Sequence, residues 1–223
     1  MRRLLVALAI FVLILGAGVI WTANPGTDEA YAAAESRIDA AIAEEARILR
    51  LSDLSNLGHL PPRIAEMTDL IQLDLRGTLV SDVSVLSGLQ NLRILNLHGT
   101  LLRNVDPLAG LPALDTLDVG ETWISDIAPL TKMPELRRLD IGTTQIKSLE
   151  PATRMERLNW INLHGAHALD GSQTAYQALI DKGLTVNNGR AFRQDYRPGF
   201  LQRLRIRVER IVHRARLGLG ANR

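Results

Sequence analysis

The 223 residues are 46% hydrophobic and 22% charged and include no cysteine. This suits one globular or solenoid domain with appendages, and it excludes disulfides, a thiol nucleophile and a bacterial lipid-attachment cysteine. The formal net charge of +2 hides an asymmetry: residues 187–223 hold ten arginines against Asp195 and Glu209, whereas residues 4–186 hold 14 basic and 22 acidic side chains.

Taken in order, the chain opens with Arg2-Arg3 and then 18 uncharged apolar residues, Leu4–Trp21. That run is at the lower edge for a spanning helix and longer than the usual core of a signal peptide. Residues 1–26 therefore read as a signal anchor, with the two arginines in the cytoplasm and Trp21 at the far interface. Gly16-Ala17-Gly18 offers the small residues of a cleavage site, so a cleaved signal is the alternative. Asn24-Pro25-Gly26 breaks the run, and Thr27-Asp28-Glu29 reads as a helix start with acidic residues at the positive end of the dipole. Tyr31, Ala34, Ile38, Ala41, Ile42 and Leu49 supply an apolar stripe near helical spacing. A helix over Asp28–Ala46, within a segment 27–47, is expected to cap the next domain. A stalk or coiled coil is the rival reading.

Residues 48–170 are governed by a 22-residue period. Leu70–Asn91, Leu92–Ala113, Leu114–Glu135 and Leu136–Arg157 align without an insertion, and a fifth unit beginning at Leu158 departs after Leu163. The first unit is irregular, since Leu49 and Leu73 lie 24 residues apart around Leu60-Pro61-Pro62-Arg63-Ile64. Leu73, Leu95, Leu117, Leu139 and Ile161 share one position, and Leu75, Leu97, Val119, Ile141 and Leu163 the next apolar one. This alternation is a short strand with one face buried. Thr78, Thr100, Thr122 and Thr144 follow, placed to hydrogen-bond the turn backbone of neighbouring coils. Val80, Leu102, Ile124 and Ile146 point inward again. Pro107, Pro129 and Pro151 limit the return leg to a turn or a short 3₁₀ piece. No such coil buries its apolar face alone, so the coils must stack.

The L-x-x-L-x-L-x-x-T-x-I units, each followed by a segment such as Asp126-Ile127-Ala128-Pro129-Leu130, resemble the bacterial leucine-rich repeat of the internalin-like, 22-residue type. The resemblance covers about half the chain, roughly Leu49–Leu163. It implies an α/β leucine-rich repeat solenoid: a short right-handed horseshoe with a parallel β-sheet on the concave face, turns and 3₁₀ segments on the convex face, and helical caps. It implies binding of a protein partner rather than any one activity, because this family binds many unrelated things.

Past the repeats, Asp170-Gly171-Ser172 reads as the start of a helix through Lys182, ended by Gly183, and Leu184-Thr185-Val186 as an edge strand. Residues 171–189 thus form a C-terminal cap. Residues 190–223 differ in kind. Phe200, Leu201, Leu204, Val208, Ile211, Val212 and Ala215 share one face at helical spacing, bordered by Arg203, Arg207, Arg210 and Arg214 on one side and Arg205 and Arg216 on the other. Arg203, Arg205, Arg207, Arg210 and Arg214 suit anionic lipid at a membrane surface; a solvated tail is the alternative.

Candidate site residues follow from the strand positions flanking the inward leucines. Asp118 and Asp140 fall on adjacent strands, but no nucleophile or base accompanies them, so they read as solvent-facing residues rather than a carboxylate pair or metal site. His98 and His164 lie three coils apart, roughly 14 Å at about 4.8 Å per strand, too far to share one ion. No phosphate-loop, nucleophile-elbow or H-E-x-x-H motif occurs, so neither catalysis nor a cofactor or metal is expected. Arg138 beside Trp160 is a cation–π candidate, and both are common interface anchors. Leu79, Leu101 and Trp123 form an apolar ridge at the edge of the horseshoe. The expected partner-binding set is Trp160, Arg138, Asp118, Asp140, His164, Leu79, Leu101 and Trp123. The whole reads as a non-enzymatic, membrane-anchored protein whose solenoid lies on the periplasmic or extracellular side and binds another protein. A structural envelope protein, its tail on anionic lipid or polyanionic polymer, is the alternative, and nucleic acid is a distant third.

Overall fold

The computed structural model describes residues 25–165 and 173–187. The apolar run 4–21, the expected helix start at 170–172, and the tail with Arg203, Arg205, Arg207, Arg210 and Arg214 lie outside the described residues. Among the described residues no helix is long and apolar enough to cross a membrane.

Helix α1 spans Pro25–Ala43 and so includes the three residues ahead of the expected start at Asp28. The expected break at Asn24-Pro25-Gly26 concerns the apolar run before it, which lies outside the described residues. Past the C-terminus, Glu45 takes φ of 50° while the Ala46 N–H donates to the Ala41 carbonyl at 2.8 Å, closing the last turn. Ala30, Ala34, Ile38 and Ala41 are buried, and α1 packs on the Pro62–Glu66 segment of the first coil. The helix therefore caps the solenoid, as its stripe predicts, whereas Leu49 lies in the first strand.

Seven three-residue strands follow: β1 Ile48–Arg50, β2 Gln72–Asp74, β3 Ile94–Asn96, β4 Thr116–Asp118, β5 Arg138–Asp140, β6 Trp160–Asn162 and β7 Thr185–Asn187. All pair in parallel, in chain order, as one sheet lining the concave face. Coils are numbered here by their strand. Leu73, Leu95, Leu117, Leu139 and Ile161 stand in register one period apart, while Leu49 pairs with Leu73 and Ile161 with Val186 across longer coils. Each coil crosses back through a 3₁₀ segment, at Pro62–Glu66, Ser84–Gly88, Asp106–Gly110 and Ala128–Lys132. In coil five the crossing is a single α-turn, α2 Glu150–Thr153, the other short form that Pro151 allows. Pro62, Pro107, Pro129 and Pro151 sit in the first two positions of these turns, where no N–H is needed. Helix α3, Gln173–Asp181, precedes β7, and Gly183 turns between them at φ of 79°.

One continuous apolar core runs through all the coils. The threonine column corrects one expectation. The hydroxyls of Thr78, Thr100, Thr122 and Thr144 donate to the carbonyls of Leu75, Leu97, Val119 and Ile141, three residues back in their own coil, at 2.6–2.7 Å. The turn's own carbonyl lies closest to the hydroxyl, and the backbone itself joins the coils: Leu75 N–H to Asn96 O, Gly77 N–H to His98 O, and onward. Among the described residues no buried side-chain polar atom lacks a partner.

Candidate partner-binding surface

Strand alternation turns two residues of each strand away from the core. The first column runs in register through Ile48, Gln72, Ile94, Thr116, Arg138, Trp160 and Thr185. Ile48 and Ile94 are 49% and 37% exposed, so this face offers apolar contact to solvent. The Arg138 guanidinium carbon lies 4.7 Å from the centroid of the Trp160 ring, and the expected cation–π pair is formed.

The second column is Arg50, Asp74, Asn96, Asp118, Asp140, Asn162 and Asn187. Its five middle members share a task that strand alternation alone does not reveal. Each Oδ1 accepts the backbone N–H two residues on, from Arg76, His98, Gly120, Gly142 and His164, at 2.9–3.2 Å. These are Asx turns, which bend the chain out of each strand. Asp118 and Asp140 therefore brace turns as well as facing the surface. Asn162 also donates from Nδ2 to Asp140 Oδ2 at 2.8 Å, tying β6 to β5 beside the Arg138–Trp160 pair. Asp74 is 5% exposed and meets the Arg76 guanidinium at 3.1 Å.

The third column holds Arg76, His98, Gly120, Gly142 and His164. His164 is exposed, and its carbonyl accepts the Thr143 N–H at 2.6 Å. His98, which spacing alone offers only as a distant partner for His164, has close neighbours in coil four. Its Nδ1 lies 3.3 Å from Asp118 Oδ1 and its Nε2 3.4 Å from Glu121 Oε2. The Asp118 hydrogen bond, helped by the charges of Asp118, Glu121 and Asp140, holds the His98 imidazole above its ordinary pKa against partial burial. Burial, with the like charge of Asp118 adding, holds Asp140 above the usual carboxylate range despite its hydrogen bonds to Asn162 and Gly142. The sequence signal for this group is the pair Gly120 and Gly142, small residues in a column that elsewhere carries arginine or histidine.

Leu79, Leu101 and Trp123 stand in a separate column past the turn and are half-buried, with the Arg103 guanidinium 5.4 Å from the Trp123 ring centroid. The fold thus joins Arg138 to Trp160 and aligns Leu79, Leu101 and Trp123 along one edge. Among the described residues no group of three or more His, Asp or Glu side chains is placed to hold a metal ion.

No protein-family model and no curated protein sequence matches the chain. Solved structures do. An internalin (inlF) from Listeria monocytogenes superposes with a TM-score of 0.54 at 21% identity, over 76% of this chain and 59% of that one. Internalin C2 of the same organism gives 0.47 at 20% identity over 73% and 82%, and a Leptospira interrogans leucine-rich repeat protein 0.47 at 14% over 59% and 40%. The chain spans less than two thirds of the internalin inlF structure. The in-register parallel sheet, the 3₁₀ crossings and the superposition agree: by fold, the chain is an internalin-like leucine-rich repeat solenoid.

Proposed function

We propose that this is a non-enzymatic, membrane-anchored leucine-rich repeat protein that captures a partner protein on the concave face of its solenoid, outside the cytoplasm. One observation carries the reading: Arg138 stacks on Trp160 at the open surface, while Leu139 and Ile161 beside them fill the core. A cation and a large amphipathic ring that contribute little to packing suit an interface anchor. Seven strands at about 4.8 Å make a face only about 29 Å wide, small against the roughly 800 Å² per partner of a standard interface, so affinity must concentrate in a few anchors. Ile48 and Ile94 lie in the same column, and Leu79, Leu101 and Trp123 on the rim extend the footprint. Residues 4–21 supply the anchor in this reading, and the protein stays with the membrane fraction through an alkaline wash. The ten arginines past residue 187 support a second contact, to anionic lipid or surface polymer.

The test is crosslinking in the native envelope, with capture compared across variants. Trp160→Ala and Arg138→Ala are expected to reduce capture while the melting temperature hardly moves. Leu117→Ala, a core truncation, is expected to cost about 2–5 kcal/mol of folding stability. Unchanged capture in both concave variants, with loss in Trp123→Ala, moves the binding site to the rim. Unchanged capture in all three leaves the solenoid a spacer.

A further inference from the structure

The turn after each of strands β2 to β6 holds one residue in the left-handed region: Gly77, Gly99, Glu121, Thr143 and Gly165, at φ of 71°, 68°, 55°, 54° and 68°. Glycine adopts this conformation freely; glutamate and β-branched threonine do so under strain. In coils four and five the glycine has moved back one residue, to Gly120 and Gly142. A Cβ on Gly120 would lie 2.8 Å from His98 Nδ1, 3.0 Å from Asp140 Oδ1 and 3.2 Å from Asp118 Oδ1. One on Gly142 would lie 3.0 Å from the His164 carbonyl, 3.1 Å from Asn162 Nδ2 and 3.2 Å from Asp140 Oδ1. The displaced glycines therefore make room for side chains, at the expense of an easy turn. Glu121, one of the two strained residues, is also the residue that faces His98 Nε2.

Both ring nitrogens of His98 thus face carboxylate oxygens, Asp118 at Nδ1 and Glu121 at Nε2. A neutral imidazole carries one N–H and serves only one of them, leaving a lone pair against the other; the imidazolium serves both. Asp140 adds a third carboxylate from coil five, across the strand pair Asp118–Asp140. From coil two the neighbouring charges are Arg76 and Asp74, paired with each other at 3.1 Å.

We propose that His98, Asp118, Glu121 and Asp140 form a proton-operated clasp across coils three to five, closed while His98 is imidazolium and loosened when it is neutral. The raised pKa values of His98 and Asp140 agree in sign, because folding then takes up protons. The His98 contribution is complete below the unfolded value of about 6.5 and is lost as pH rises through the higher folded value. Asp140 acts likewise, its share lost as pH rises from about 3.9 through its own raised value. The clasp holds whether or not the concave face binds a protein, so it is tested on the protein alone.

The full chain, labelled with ¹⁵N-histidine, has five histidines, and His98→Gln identifies the signal of interest. That signal is expected to titrate above the ordinary value of about 6.5 and to move down in Glu121→Gln. The melting temperature of the parent should fall by about 2–4 °C between roughly pH 6 and 8.5, with a smaller fall in His98→Gln. A His98 titration at or below the ordinary value, or the same pH dependence in parent and variant, overturns the clasp. Should His98→Gln not fold, the downward shift in Glu121→Gln decides alone.

Discussion

At the scale of the residue, the surface of this solenoid is mostly occupied in holding its own turns. Each Asx side chain braces the turn after its strand, and each buried threonine hydroxyl answers a carbonyl that the turn leaves open. Glycine placement shows the competition between turn and side chain. Gly120→Ala puts a methyl against His98 and two carboxylates and is expected to cost about 1–3 kcal/mol in urea denaturation, as overpacking does. Thr143→Gly removes left-handed strain but gives the unfolded chain more freedom, so its gain is at most about 1 kcal/mol. A loss of stability on Thr143→Gly would show that the threonine contributes more than strain. The displacement is visible in the aligned triplets Arg76-Gly77-Thr78, His98-Gly99-Thr100, Gly120-Glu121-Thr122 and Gly142-Thr143-Thr144. Its cause is not, because most of the colliding atoms, those of His98 and Asp140 at Gly120 and of Asn162 and His164 at Gly142, come from neighbouring coils.

Among the elements, α1 is the one whose attachment is open to question, since charged and apolar contacts both tie it to the first coil. Arg37 pairs with Asp53 at 2.5 Å and Arg63 with Asp39, yet all four side chains are largely exposed. Exposed pairs lose most of their Coulomb energy to solvent and salt. Ile38 is fully buried in the same helix. Chemical denaturation should therefore show a loss of about 2–5 kcal/mol for Ile38→Ala but only about 0–1 kcal/mol for Arg37→Ala. Comparable losses would mean that the ion pair sets the cap's position. The apolar stripe of α1 was legible in its spacing. Its N-terminal reach was not, because Pro25-Gly26 reads in sequence as a break, yet both residues lie in the helix.

For the molecule as a whole, stacking replaces a central core. Each coil meets the coils beside it, so stability accumulates coil by coil and the ends need covers: α1 at one end, α3 and β7 at the other. Excising residues 92–113, one full period, joins two coils whose strands are already in register. The shortened chain is expected to fold with the same far-ultraviolet signature and a lower denaturant m-value, because less surface is exposed on unfolding. Excising half a period breaks the register and should abolish cooperative unfolding. A full-period deletion that does not fold would mean that the coils are not interchangeable units.

The 22-residue period by itself determined the solenoid: the inward leucines, the parallel strands and the short crossings all follow from spacing, since every coil solves the same burial problem in the same register. Arg138 beside Trp160 was legible for the same reason, a fixed period placing them on neighbouring strands. Only the tertiary structure decided what lies between coils at the turns. There the positions of His98, Asp118, Glu121 and Asp140 depend on backbone angles and side-chain directions, and a one-residue shift of glycine changes which atoms meet. Periodicity specifies which residue stands in which column; distances of 3.3 and 3.4 Å to two carboxylates at once need three dimensions.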